Sequence, residues 1–75
     1  MVKSVHTREY AYFVARLYKA RADAGLTQVQ VAKKLKRPQS YVSNIESGQQ
    51  RVDVVELRRF AKLYQKPLAY FLEEK

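Results

Sequence analysis

The stretch Gly25-Leu-Thr-Gln-Val-Gln-Val-Ala-Lys-Lys-Leu-Lys-Arg-Pro-Gln-Ser-Tyr-Val-Ser-Asn-Ile-Glu-Ser-Gly48 decides the fold. Thr27-Gln28-Val29-Gln30 is a Thr-x-x-Gln capping box, in which two side chains satisfy backbone donors that a helix start leaves unpaired. It predicts a helix over about 28–35, with Val29, Ala32 and Leu35 as its apolar stripe. Lys36-Arg37-Pro38 reads as a turn, because proline disfavours helical backbone at the residue before it. Pro38 itself suits the first position of the next helix, whose φ its ring presets. That helix, over about 38–46, buries Val42 and Ile45 and stops at Gly48.

Working outward, Tyr10, Phe13, Val14 and Leu17 recur at helical spacing. They predict a first helix over about 7–24, with Thr7 as N-cap and Gly25 at the C′ position, where left-handed backbone is needed. Leu26 then falls where it packs back on that helix. Downstream, Asp53-Val54-Val55-Glu56 is a second capping pattern. It opens a fourth helix over about 54–64, with Leu57, Phe60, Ala61, Leu63 and Tyr64 inward. Pro67 opens a short fifth helix carrying Leu68, Phe71 and Leu72. The result is an all-α, compact five-helix domain spanning residues 1–75, with tails expected to fray at 1–6 and 73–75. Among the aromatic residues, Tyr10, Tyr18, Phe60, Tyr64 and Phe71 read as core, while Tyr12 and Tyr70 are harder to bury.

Composition narrows the function. The 75 residues contain no cysteine and one histidine, so disulfides, thiolate zinc sites and multi-histidine metal sites are excluded. No apolar run approaches the roughly 18 residues of a membrane span, and the N-terminus has no apolar signal-like core. The acids Asp23, Glu46, Asp53 and Glu56 are scattered, and no glycine-rich phosphate loop occurs. His6 falls in the expected tail. The chain reads as a cytoplasmic protein, not an enzyme, with no cofactor and no metal.

Fifteen Lys and Arg against seven Asp and Glu give a net charge of +8, which suggests nucleic acid, or less often an anionic membrane or an acidic protein. The bias is sharpest over residues 26–51, where Lys33, Lys34, Lys36, Arg37 and Arg51 face Glu46 alone. Two helices of about eight residues joined by a short turn have the size of a helix-turn-helix. The third helix carries Gln39, Ser40, Ser43 and Asn44 on its outer face. Amides can form paired hydrogen bonds with adenine in the major groove, and hydroxyls can donate or accept there. A merely solvated helix more often presents Glu and Lys, which are better helix formers. A polar surface helix is the competing reading.

The same residues resemble the Cro/C1-type (XRE family) helix-turn-helix proteins. That family's pattern is Gly-Leu-Thr-Gln, two or three residues, Leu-Ala, then Ser-x-x-x-Ile-Ser-x-x-Glu-x-Gly, and the likeness extends over about residues 10–72. It implies a lambda-repressor-like DNA-binding domain and a regulator of transcription that binds a two-fold symmetric operator on double-stranded DNA as a homodimer. By the resemblance, Gln39, Ser40 and Asn44 face base edges, with Ser43 beside them. Gln28 matches the position that clamps a phosphate, and a helix N-terminus does attract anions. Lys36, Arg37, Gln49 and Arg51 flank the recognition helix and are expected to meet phosphates. Tyr41 either touches the backbone or a thymine methyl, or packs against helix two. Arg21 and Glu46 match a structural ion pair behind the DNA surface. The chain departs from the pattern at Lys36, where glycine is usual, and at Pro38, where a serine or threonine cap is usual.

Helix five carries apolar residues on more than one face, which suggests a homodimer interface built from Tyr64, Leu68, Tyr70, Phe71 and Leu72. The alternative is that they only close the monomer core. Without an effector domain, regulation would follow concentration, and a repressor that occludes a promoter needs nothing beyond binding. A second functional reading is an antitoxin-like or interaction subunit, which meets a partner protein through helix five and whose DNA binding is autoregulatory. RNA binding is a weaker third, because the recognition face lacks exposed aromatics.

Overall fold

The computed structural model describes residues 7–72, and these form five helices and no strand: α1 (Arg8–Asp23), α2 (Gln28–Leu35), α3 (Gln39–Glu46), α4 (Val54–Tyr64) and α5 (Leu68–Leu72). The tails expected to fray, and His6 with them, lie outside the described residues.

Each helix start follows from local chemistry. The Thr7 hydroxyl accepts from the Tyr10 amide at 3.1 Å. At α2 the capping box closes in both directions: Gln30 N–H donates to Thr27 Oγ1 at 3.1 Å, and Thr27 N–H donates to Gln30 Oε1 at 2.8 Å. Asp53 Oδ1 accepts from Glu56 N–H at 2.8 Å, but the Glu56 side chain does not return to the cap. It turns inward instead. At α3, Pro38 is the N-cap rather than the first helical residue, with φ −68° and ψ 155°, and no side chain caps this start. The ring fixes φ, but ψ remains extended because this residue joins the turn to the helix.

The helix ends share one device. At the end of α1, Gly25 has φ 72°, and Leu26 N–H reaches back to the Arg21 carbonyl at 3.2 Å. Gly48 at φ 83° closes α3 in the same way, with Gln49 N–H on the Asn44 carbonyl at 2.9 Å. Lys36 at φ 58° and Gln65 at φ 59° close α2 and α4, with Arg37 and Lys66 N–H returning to the Ala32 and Ala61 carbonyls. A side chain costs about 1 kcal/mol or more in left-handed backbone, so Lys36 gives up some stability where glycine would not.

The core joins Phe13, Leu17 and Ala20 of α1 to Val31, Ala32 and Leu35 of α2 and to Val42 and Ile45 of α3. Leu57, Phe60, Ala61 and Tyr64 of α4 and Phe71 of α5 complete it. Two expectations fail here. Val29 is 46% exposed, and Val31 takes its place in the core. The inward stripe of α2 runs 28, 31, 32, 35, and Val29 lies about 100° from it. Tyr18 is 56% exposed rather than buried, with the Arg21 guanidinium 5.2 Å from its ring centre. Tyr12 and Tyr70 are both half-buried. Arg16 fixes α5 to α1: its Nε donates to the Tyr70 carbonyl at 2.9 Å, and its guanidinium sits 3.8 Å from the Tyr70 ring centre.

Candidate nucleic-acid interface

Helices α2 and α3 make the most extensive helix pair, and α3 also lies against α1. Val42 and Ile45 are completely buried, which fixes the rotation of α3 about its axis. At 100° per residue, Gln39, Ser40, Ser43 and Asn44 then fall on the opposite side. Gln39 and Ser40 are exposed, and Ser43 and Asn44 are half-exposed. Ser43 Oγ donates to the Ser40 carbonyl at 3.3 Å. The Asn44 carbonyl anchors the following loop by accepting from the Gln49 and Gln50 amides and from Ser47 Oγ.

A forked ion pair holds the other end of α3. Arg21 Nε and Nη2 donate to Glu46 Oε2 and Oε1 at 2.7 and 3.0 Å, and Arg21 Nη1 donates to the Leu26 carbonyl at 3.0 Å. The hydrogen bonds that Arg21 donates to Glu46 outweigh burial and push the Arg21 pKa above its ordinary value. Gln28 Nε2 also donates to Glu46 Oε1, at 3.0 Å. One N–H of the Gln28 amide is thus committed to the protein, and the side chain is half-buried. Three segments meet on one carboxylate: the end of α1, the start of α2 and the end of α3.

The remaining flanking residues divide into free and engaged. Lys36 and Gln49 are exposed. Arg51 is exposed, with its guanidinium 5.3 Å from the Tyr10 ring centre. Arg37 is exposed but engaged: it donates through Nη2 to Glu56 Oε1 at 3.2 Å. Its guanidinium also sits 5.0 Å from the Tyr41 ring centre. Tyr41 packs on α4: its ring stacks on Phe60, with centres 6.4 Å apart and planes 11° apart. Burial, reinforced by the Glu56 carboxylate beside it, pushes the Tyr41 hydroxyl up to about 12.

The expected dimer surface needs correction. Tyr64 and Phe71 are 3% and 0% exposed, so both belong to the monomer core. Tyr70 is half-buried between Arg16 and Lys66, at 3.8 and 4.6 Å from its ring centre. Leu68 and Leu72 remain on the surface. Val54 and Val55 of α4 are more exposed still: Leu72 shares one shallow groove with Val54, and Leu68 another with Val55. The sequence reading missed these two valines because it used their position only for capping. It also missed Glu56 as a buried acid, although position 56 shares one helix face with Phe60 and Tyr64.

Among the described residues, no group of three or more His, Cys, Asp or Glu is placed to hold a metal, and no helix is long and apolar enough to cross a membrane. No curated protein matches the chain. The helix-turn-helix domain family matches it over residues 13–69, from within α1 into α5. With α2 and α3 as the two helices of the motif, the chain belongs to the DNA-binding helix-turn-helix domain family.

Proposed function

We propose that this chain is a sequence-specific transcriptional regulator of the Cro/C1 type, a repressor that grips an inverted-repeat operator on double-stranded DNA as a homodimer. The observation that carries this reading is the two-sidedness of α3. Val42 and Ile45 are buried on one side, and short amides and hydroxyls stand on the other. Gln39, Ser40, Ser43 and Asn44 would read base edges in the major groove. Lys36, Arg37, Gln49 and Arg51, with the free N–H of Gln28, would meet phosphates on either side. Two copies would set α3 into successive major grooves, with half-sites about 34–36 Å apart. Phosphate neutralisation supplies much of the affinity and makes it fall with salt. The exposed apolar side chains, Leu72 beside Val54 and Leu68 beside Val55, offer surface suited to a second copy.

That same surface favours the second reading, in which a partner protein covers it and DNA binding is autoregulatory. Selection of bound duplexes from a random library by the purified protein, near physiological salt, tests both. The homodimeric reading expects enrichment of an inverted repeat with half-sites about one helical turn apart. A single enriched half-site would favour the partner-bound reading. Salt-sensitive retention of every duplex without enrichment would contradict sequence-specific regulation altogether.

A further inference from the structure

We propose that Glu56 is a positioning residue for DNA binding: from the first turn of α4 it holds the Arg37 guanidinium at the edge of the recognition helix, where the remaining donors of Arg37 meet a DNA phosphate. The inference rests on the reading of Arg37 as a phosphate ligand and adds the residue that aims it.

The geometry is specific. Glu56 is the buried charged residue among those described, at 6% exposure. Its Oε1 accepts from Arg37 Nη2 at 3.2 Å, while its Oε2 is buried without a hydrogen bond. Arg37 is therefore the charge that compensates this carboxylate, and the attachment is not a loose surface contact. The Arg37 side chain still keeps 45% of its surface. Guanidinium carries five N–H donors in a planar fork, so one edge can hold a carboxylate while another faces an anion. The Tyr41 ring lies 5.0 Å from the same guanidinium and is itself stacked on Phe60. Carboxylate and ring thus fix Arg37 from two directions, one residue before Pro38 caps α3. A long side chain held in advance loses less rotamer freedom when a phosphate arrives. The arrangement also accounts for an acid in a domain whose partner is polyanionic: Glu56 is hidden from the DNA and acts on it through Arg37.

The test reads the sign of an effect. Removing an acid from a DNA-binding protein should strengthen binding if charge alone matters. Binding to a short duplex of arbitrary sequence is titrated over a salt series, with circular dichroism confirming that each variant is folded. Arg37→Ala is expected to weaken binding about fivefold near physiological salt, the contribution of one phosphate contact per protomer, and to make the salt dependence shallower. Glu56→Gln is expected to weaken binding about two- to fivefold and to make the salt dependence shallower in the same way. The double variant Arg37→Ala/Glu56→Gln should bind no more weakly than Arg37→Ala. Arg37→Lys keeps the charge but loses the fork, so it should also weaken binding. If Arg37→Ala binds like the unaltered protein, the reading of Arg37 as a phosphate ligand fails. If Arg37→Ala weakens binding but Glu56→Gln strengthens it, that reading stands and the positioning role of Glu56 is overturned. Should Glu56→Gln not fold, Arg37→Lys decides: binding equal to that of the unaltered protein at every salt concentration overturns the proposal.

Discussion

Replacing Phe60 by alanine should cost about 3–5 kcal/mol, the range for deleting a fully buried aromatic side chain. A domain of this length has about 4–11 kcal/mol in total, so the variant loses a large share of its stability and is unfolded at the low end of that range. The magnitude follows from position. Phe60 is 1% exposed, stacks under Tyr41 and lies 5.8 Å, centre to centre, from Tyr64. Through the Tyr41 ring it supports α3 from α4. The cavity left by alanine cannot collapse easily, because the rings on either side are held by other contacts. Urea denaturation followed by helical circular dichroism measures the loss directly. A change of about 1 kcal/mol or less would mean that the interior between α3 and α4 repacks freely, and that Tyr41 does not depend on this support.

Glu46→Ala should cost about 2–3 kcal/mol. Removing one member of a buried ion pair typically costs 3–5, and the lower figure applies here because Arg21 retains the Leu26 carbonyl and some solvent access. The carboxylate accepts both arms of the Arg21 fork and the Gln28 amide, so alanine strands a cation and an amide together. A pair of this kind can be close to neutral overall while being costly to halve. Replacing both partners by apolar residues of similar size, Arg21→Met with Glu46→Leu, should therefore destabilise less than Glu46→Ala alone. The comparison of single and double variants by urea denaturation isolates the coupling. A double variant less stable than Glu46→Ala would show that the pair contributes net stability.

The helix starts at Thr7, Thr27 and Asp53 were legible because a capping hydroxyl or carboxylate is written in the residue type. The stops at Gly25 and Gly48 were legible for the same reason, since glycine marks left-handed backbone. The ends of α2 and α4 fall at 35 and 64 as expected, but the left-handed backbone that closes them at Lys36 and Gln65 was not legible, because neither residue prefers φ near 60° and only the closed fold requires it. Val29 and Val31 show a second limit. Both are apolar and two residues apart, and which one turns inward depends on the phase of α2 against α1 and α3. Tyrosine is ambiguous in the same sense, being compatible with core and surface. Hence Tyr18 was expected inside, while Tyr64 and Phe71 were offered as interface although they sit in the core. Glu56 satisfied a capping pattern, and its inward turn toward Arg37 became visible only with α4 laid beside the turn before α3. The two-sided character of α3 was readable throughout, because a helix that short buries one stripe and leaves the other free.

If the outer face of α3 distinguishes bases, the affinity of the Gln39→Ala variant must depend on which duplex it meets. Binding is measured to the duplex enriched from a random library and to an unrelated duplex, at one salt concentration. A lost base contact should cost about 1–3 kcal/mol per half-site on the enriched duplex and little on the unrelated one, with relaxed preference at the contacted position. Equal weakening on both duplexes would contradict base reading by Gln39 and leave α3 as a helix that only approaches the backbone.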